Sequence, residues 1–121
     1  MSVNGTEPGD LASDHGVETI ADELLDQALA ERRALVQLCL YALDRASAGV
    51  VARIEEVLST VGVVAVRADG QRFDPSEHEA GGTVPTDDLS LLGLVAETEV
   101  PGFRDRGRVL RAPIVTVYTP R

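Results

Sequence analysis

The chain has 121 residues, a formal charge of −9, two Phe, two Tyr, no Trp, and eleven basic residues that are all Arg. The negative balance excludes nucleic acid and anionic membrane as default partners, because both reward positive charge. A core without bulky aromatics must be built from Val, Leu, Ile and Ala, which argues against one large globular core.

Residues 1–16, "MSVNGTEPGDLASDHG", are rich in Gly, Ser, Asp and Pro and read as a disordered acidic tail. No basic region followed by an apolar run opens the chain. No apolar run approaches the ~18–20 residues that cross a membrane, so the expectation is a soluble cytoplasmic protein. A helix is expected from about residue 17, with Thr19 and Asp22 at capping spacing and Asp14 as an alternative cap. Its apolar positions are Ile20, Leu24, Leu25, Ala28 and Leu29, then Leu35, Val36, Cys39, Leu40 and Leu43, with Arg32 interrupting the stripe. A small head cannot cover so long a stripe, so another helix must, from this chain or a second copy. Gly49 is the expected break. "VVARIEEVLSTVG" then sets Val50, Val51, Ile54, Val57, Leu58 and Val61 on one helical face, with Gly62 as the stop. Residues 17–61 thus read as an αα-hairpin of dimerisation type.

After Gly62 the periodicity turns strand-like. "VVAVRA", "LLGLVAETEV" and "RVLRAPIVTVY" are strand candidates, and Asp69-Gly70 is a hairpin signal. Helices first and strands after give an α+β fold, with residues 62–121 as a small, mostly antiparallel β head. Between the strands, "FDPSEHEA" reads as one capped turn, with Asp74 as cap and Pro75 in the first position. A rival reading makes Asp74, His78 and Glu79 an acid/base or metal cluster, but it lacks further ligands. Cys39 is the single cysteine, so no internal disulfide can form, which fits a reducing cytosol; inside its apolar stripe it reads as a small core residue. No phosphate-cradling loop, metal motif or cofactor motif is present.

Charge is unevenly spread. Residues 1–31 carry eight acids and no base, whereas residues 101–121 sum to +4. "GFRDRGRVLR" packs Arg104, Arg106, Arg108 and Arg111 into eight positions. The knot is either a solvated edge that discourages aggregation or a basic docking face for an acidic protein surface. No aromatic platform accompanies it for RNA.

"FDPSEHEA" followed by "GFRDRGRVLRAPIVTVY" resembles the head signature of the GrpE family, the nucleotide exchange factors of DnaK-type chaperones. Asp74, Pro75, His78, Glu79 and Ala80 match its "DPxxHEA" turn. Gly102, Phe103 in place of Tyr, Gly107 to Ala112, Val115 and Val117 match its "GY…GRVLRPAxVxV" ending. "LDRA" at Leu43–Ala46 and "VLSTVGV" at Val57–Val63 resemble the family's first and second bundle helices, so the likeness runs from about Leu35 to Thr119.

The resemblance implies a helical homodimer bearing β heads, and no catalytic chemistry or cofactor. A head docks on the chaperone's ATPase domain and promotes ADP release. It implies Arg108 and Val117 at the chaperone contact. Arg111 also fits the motif, although it could instead brace the strands. Phe103 is carried over with them, and Arg104 and Arg106 are added from charge. The dimer set is Leu24, Leu25, Leu35, Val36, Leu40, Leu43, Ile54 and Leu58. The alternative is a degenerate scaffold that binds a chaperone without driving exchange. Departures are a shortened first helix, a shorter link after "LDRA", Gly81 and Gly82 in place of apolar residues, and Pro101 in place of Lys.

Overall fold

The structure, a computed structural model, describes residues 6–121, with side chains from residue 16. Helix α1 spans Thr6–Leu43 and α2 spans Ala48–Thr60. The first helix therefore starts ahead of the expected cap, and Thr19 lies inside it. Residues 1–5 of the expected tail lie outside the described residues, and residues 6–16 are helical. Along α1, Val17, Ile20, Leu24, Leu25, Leu35 and Leu38 are exposed, while Val36, Leu40 and Leu43 are buried.

The helix break falls at Asp44–Ser47 rather than at Gly49. Ser47 adopts an extended backbone as the N-cap of α2, and Gly49 sits harmlessly in the first turn. The stop at Gly62 is as expected. The Val61 and Gly62 N–H groups donate to the Leu58 and Ser59 carbonyls, and Gly62 has φ +90°.

The chain divides into two compact units, Met1–Ala42 and Leu43–Arg121. The second unit holds α2 together with every strand among the described residues. Its strands are β1 (Val63–Val66), β2 (Glu79–Thr86), β3 (Val95–Val100), β4 (Gly102–Asp105), β5 (Arg108–Arg111) and β6 (Ile114–Pro120). They form two three-stranded sheets, ordered β1-β4-β5 and β2-β6-β3. The first sheet is antiparallel throughout. In the second, β6 pairs antiparallel with β3 and parallel with β2.

Three strand expectations change. Asp69-Gly70 makes a turn, with Gly70 at φ +79°, but no hairpin. Its Gly70 N–H donates to Val95 O at 2.9 Å, and Asp69 Oδ1 accepts from Thr98 N–H at 3.1 Å. These bonds send the chain along β3, so β1 pairs with the distant β4 instead. "RVLRAPIVTVY" is two strands in two sheets, divided at Ala112-Pro113. Proline removes a ladder donor and restricts the residue before it, which ends β5. Strand β2 was masked in the sequence by Gly81, Gly82 and Pro85, all poor strand formers. It lies at a sheet edge, where proline is tolerated. A bulge falls between Ala80 and Gly82, and a Cβ built on Gly81 would come within 2.6 Å of Ile114 Cγ2. The Ile114 side chain thus occupies the space that an apolar side chain at position 81 would need.

Two cores stabilise this unit. Val63 and Phe103 are fully buried in the first sheet, and α2, which packs on β1, buries Leu58. Ala68, Val95 and Val115 form the second core, flanked by Phe73 and Val117.

Candidate functional site: a basic hairpin on a braced sheet

The arginine knot folds as the β4–β5 hairpin. Its two-residue loop is Arg106-Gly107, both with positive φ (50° and 86°), closed by the pair Asp105↔Arg108. Left-handed positions in such loops match the twist of the flanking strands and usually carry Asn or Gly. Arg106 holds its position at a conformational cost of roughly 1–2 kcal/mol. Its N–H donates to Gly62 O at 2.8 Å, which fastens the hairpin tip beside the end of α2.

Register distributes the four arginines over different faces. Val64 pairs with Arg104, and Arg104 with Val109, so these three lie in one row across the sheet. Val64 and Val109 are exposed, which makes this the outer face. Phe103, Asp105, Arg108 and Arg111 belong to the opposite face. The ladder irregularity between Phe103 and Arg104 leaves Leu110 unmatched, so Val109 and Arg111 point to opposite sides. The knot is therefore not one patch. Arg106 and Arg108 are exposed, in the loop and directly beside it at the tip of the hairpin. Arg104 lies across the sheet and bridges to Glu77 Oε1 at 3.2 Å.

Arg104 and Glu77 border an open cleft of ≈ 300 Å³ whose walls include Val66, Ser76, His78, Val109 and Pro113. The "FDPSEHEA" turn supplies one wall. Asp74 Oδ1 accepts from both the backbone N–H and the hydroxyl of Ser76, at 2.9 and 2.7 Å. These bonds hold the Asp74 carboxyl below the usual carboxylate range. The His78 N–H donates to Asp74 O, while His78 Nδ1 accepts from the Asp74 N–H at 3.0 Å. Asp74 and His78 are thus spent on shaping a turn, and Glu79 opens β2. Among the described residues no group of three or more His, Cys, Asp or Glu is placed to hold a metal.

Arg111 is engaged on three sides. Its Nη1 and Nη2 donate to the two carboxylate oxygens of Asp44, both at 2.7 Å, and its Nε donates to Pro101 O at 3.0 Å. The guanidinium also stands over the Phe103 ring, 5.3 Å from its centroid. Hydrogen bonding to Arg111 is the main reason that the Asp44 carboxyl titrates below its ordinary 3.8. The sign follows: a depressed folded pKa adds stability above the unfolded value and loses it as pH falls. The bridge is part exposed, so solvent screening limits the effect to about 1 kcal/mol. Melting between pH 6 and 2 should show Asp44→Asn flattening the acid loss of stability below about pH 4. Parallel curves for the variant and the parent chain would refute this assignment.

The site residues expected from sequence now divide. Arg108 and Arg106 are exposed, and Val117 is half-buried in β6 against the second core. Phe103 must be withdrawn from any contact set, since it is fully buried and belongs to the core. Arg111 takes the bracing role. In the expected dimer set, Leu24, Leu25 and Leu35 are exposed and Ile54 is half-buried. Val36, Leu40, Leu43 and Leu58 are buried. Sequence reasoning missed Asp44 and Glu77 as partners of arginines. Asp44 lies 67 positions from Arg111, and no local pattern signals such a pair.

A family model described as GrpE matches residues 10–119 of this chain. The chain belongs to the GrpE family. It is similar to Protein GrpE of Prochlorococcus marinus (strain MIT 9211), at 40% identity over 76 residues, 63% of this chain and 30% of that protein. Protein GrpE of Rhodopirellula baltica is 34% identical over 67 residues, 55% of this chain and 33% of that protein. Protein GrpE of Trichormus variabilis is 40% identical over 73 residues, 60% of this chain and 29% of that protein. The chain thus covers about a third of the length of these curated GrpE relatives. The GrpE-like turn and ending quoted from the sequence correspond to the Asp74–His78 turn and to the run from β4 through β6.

Proposed function

We propose that this chain is a nucleotide exchange factor that docks on the ATPase domain of a DnaK-type chaperone and promotes ADP release. Membership of the GrpE family supports that reading. The observation that carries it is an exposed Arg108 beside the loop of a tight, cationic hairpin, on a chain otherwise strongly acidic. Arg106 strengthens it, because a charged residue kept in a costly left-handed position marks a constrained, surface-directed site. No bond is made or broken by the factor. It binds the open, nucleotide-free chaperone better than the ADP-loaded form, and by linkage ADP and factor weaken each other. Each ~1.4 kcal/mol of that preference is worth about tenfold in affinity. The contact surface comprises Arg108, Arg106 and the exposed part of Val117, with Arg104 reaching the partner only across the sheet.

The test is release of fluorescent ADP from a DnaK-type chaperone on adding the purified chain. Acceleration supports exchange. Binding without acceleration supports a scaffold that docks but does not exchange. The proposed site of action is the cytoplasm; no helix among the described residues is long and apolar enough to cross a membrane.

Homodimerisation through α1 belongs to the same proposal. The exposed Ile20, Leu24, Leu25, Leu35 and Leu38 leave apolar surface on this helix that a second copy would cover. Light scattering should give twice the chain mass. A monomer at high concentration would rule the dimer out.

A further inference from the structure

Two bidentate bridges hold α2 to the rest of its unit. At its entrance, Asp44 takes both Nη groups of Arg111 on β5. On α2 itself, Glu55 takes both Nη groups of Arg67, just past β1, at 2.9 and 2.7 Å. The Arg106 N–H to Gly62 O bond closes the far end. The pairs Arg53–Glu56, Arg104–Glu77 and Arg121–Asp87 are of a different kind, single and exposed. Of the bracing groups, Arg111 is the one that shares its strand and face with Arg108. It also ties that strand to Pro101 O, just ahead of β4, and lies on the Phe103 ring.

We propose that Arg111 is a positioning residue of the docking site, clamping β5 to the turn before α2 through Asp44 and so fixing the direction in which Arg108 leaves the head. This rests on the exchange reading above. The chemistry of the clamp is specific. Only a guanidinium offers two parallel donors to a carboxylate and a third, Nε, to a carbonyl while its plane rests on an aromatic ring. A lysine would keep the charge and the apolar stem but not the fork. A hairpin free to swing would still meet the chaperone, yet it would fit the open and closed forms more equally. By population-shift logic such a factor binds but does not drive opening.

The experiment compares Arg111→Lys, Asp44→Asn and Asp44→Glu with the parent chain and with Arg121→Gln, which breaks an exposed single pair. Arg111→Lys and Asp44→Asn should lower the maximal ADP release rate at saturating factor about tenfold, within the usual range of coupling between sites. Affinity for the ATPase domain should change less than about threefold, Asp44→Glu should recover most of the rate, and Arg121→Gln should match the parent. Amide exchange needs no chaperone. It should quicken over residues 104–111 in both clamp variants, at temperatures where circular dichroism shows them folded. Unchanged exchange and unchanged release in either folded clamp variant would overturn the clamp. If instead Arg108→Glu binds the ATPase domain as tightly as the parent, it is the docking reading that falls.

Discussion

Arg108→Glu should abolish measurable binding to the ATPase domain of a DnaK-type chaperone, and with it the acceleration of ADP release. Arg108 is exposed, so its charge can meet a partner. Reversing a charge at a contact removes an attraction and adds a repulsion. Truncating one member of a buried interfacial pair already costs about 2–5 kcal/mol, roughly thirtyfold to several thousandfold in affinity. The fold should be indifferent, because the residue supports neither core. Isothermal titration against the ATPase domain, beside a melting curve, reads both quantities. Undiminished affinity in a folded Arg108→Glu variant would remove Arg108 from the contact. Raised salt should weaken the parent complex as well, as it does for exposed charge pairs.

Phe103→Ala should produce the largest loss of stability in the head. Phe103 is fully buried and one of only four aromatic side chains in the chain. Emptying such a site costs about 3–5 kcal/mol, through lost transfer energy and the cavity left behind. The Arg111 guanidinium loses its ring as well, a contact worth roughly 0.5–1 kcal/mol where part exposed. A domain of this size has only about 5–15 kcal/mol in total. The melting midpoint should therefore fall by about 12 °C or more. Phe103→Leu, which conserves most of the volume, should lose less than about half of that. A midpoint for Phe103→Ala within a few degrees of the parent would show that Phe103 does not carry the core.

Phe103 also shows how a motif can mislead about a role. In the string "GFRDRGRVLR" it stands beside four arginines, and a linear reading carries it to the contact surface with them. Pairing with Ala65 and Arg111 turns it inward. Leu58 shows a related limit: helical spacing says which residues share a face, but not that α2 packs on β1 and buries this one. The Asp69-Gly70 turn was visible because glycine at positive φ is a local requirement, whereas the strand that would pair beyond it was not.

Local chemistry legible in the sequence determined the α+β order, the stop of α2 at Gly62, the Asp74–His78 turn and the family. Each depends on residues within a few positions of one another, where backbone sterics and short-range hydrogen bonds decide. The tertiary structure alone decided that β1 pairs with β4, that β2 runs parallel to β6, that the four arginines divide between two faces, and that Asp44 holds Arg111 across 67 positions of chain. Those facts arise from which distant segments bury each other's apolar sides. A pairing of that kind is the outcome of the whole core packing at once, and no single stretch of residues encodes it.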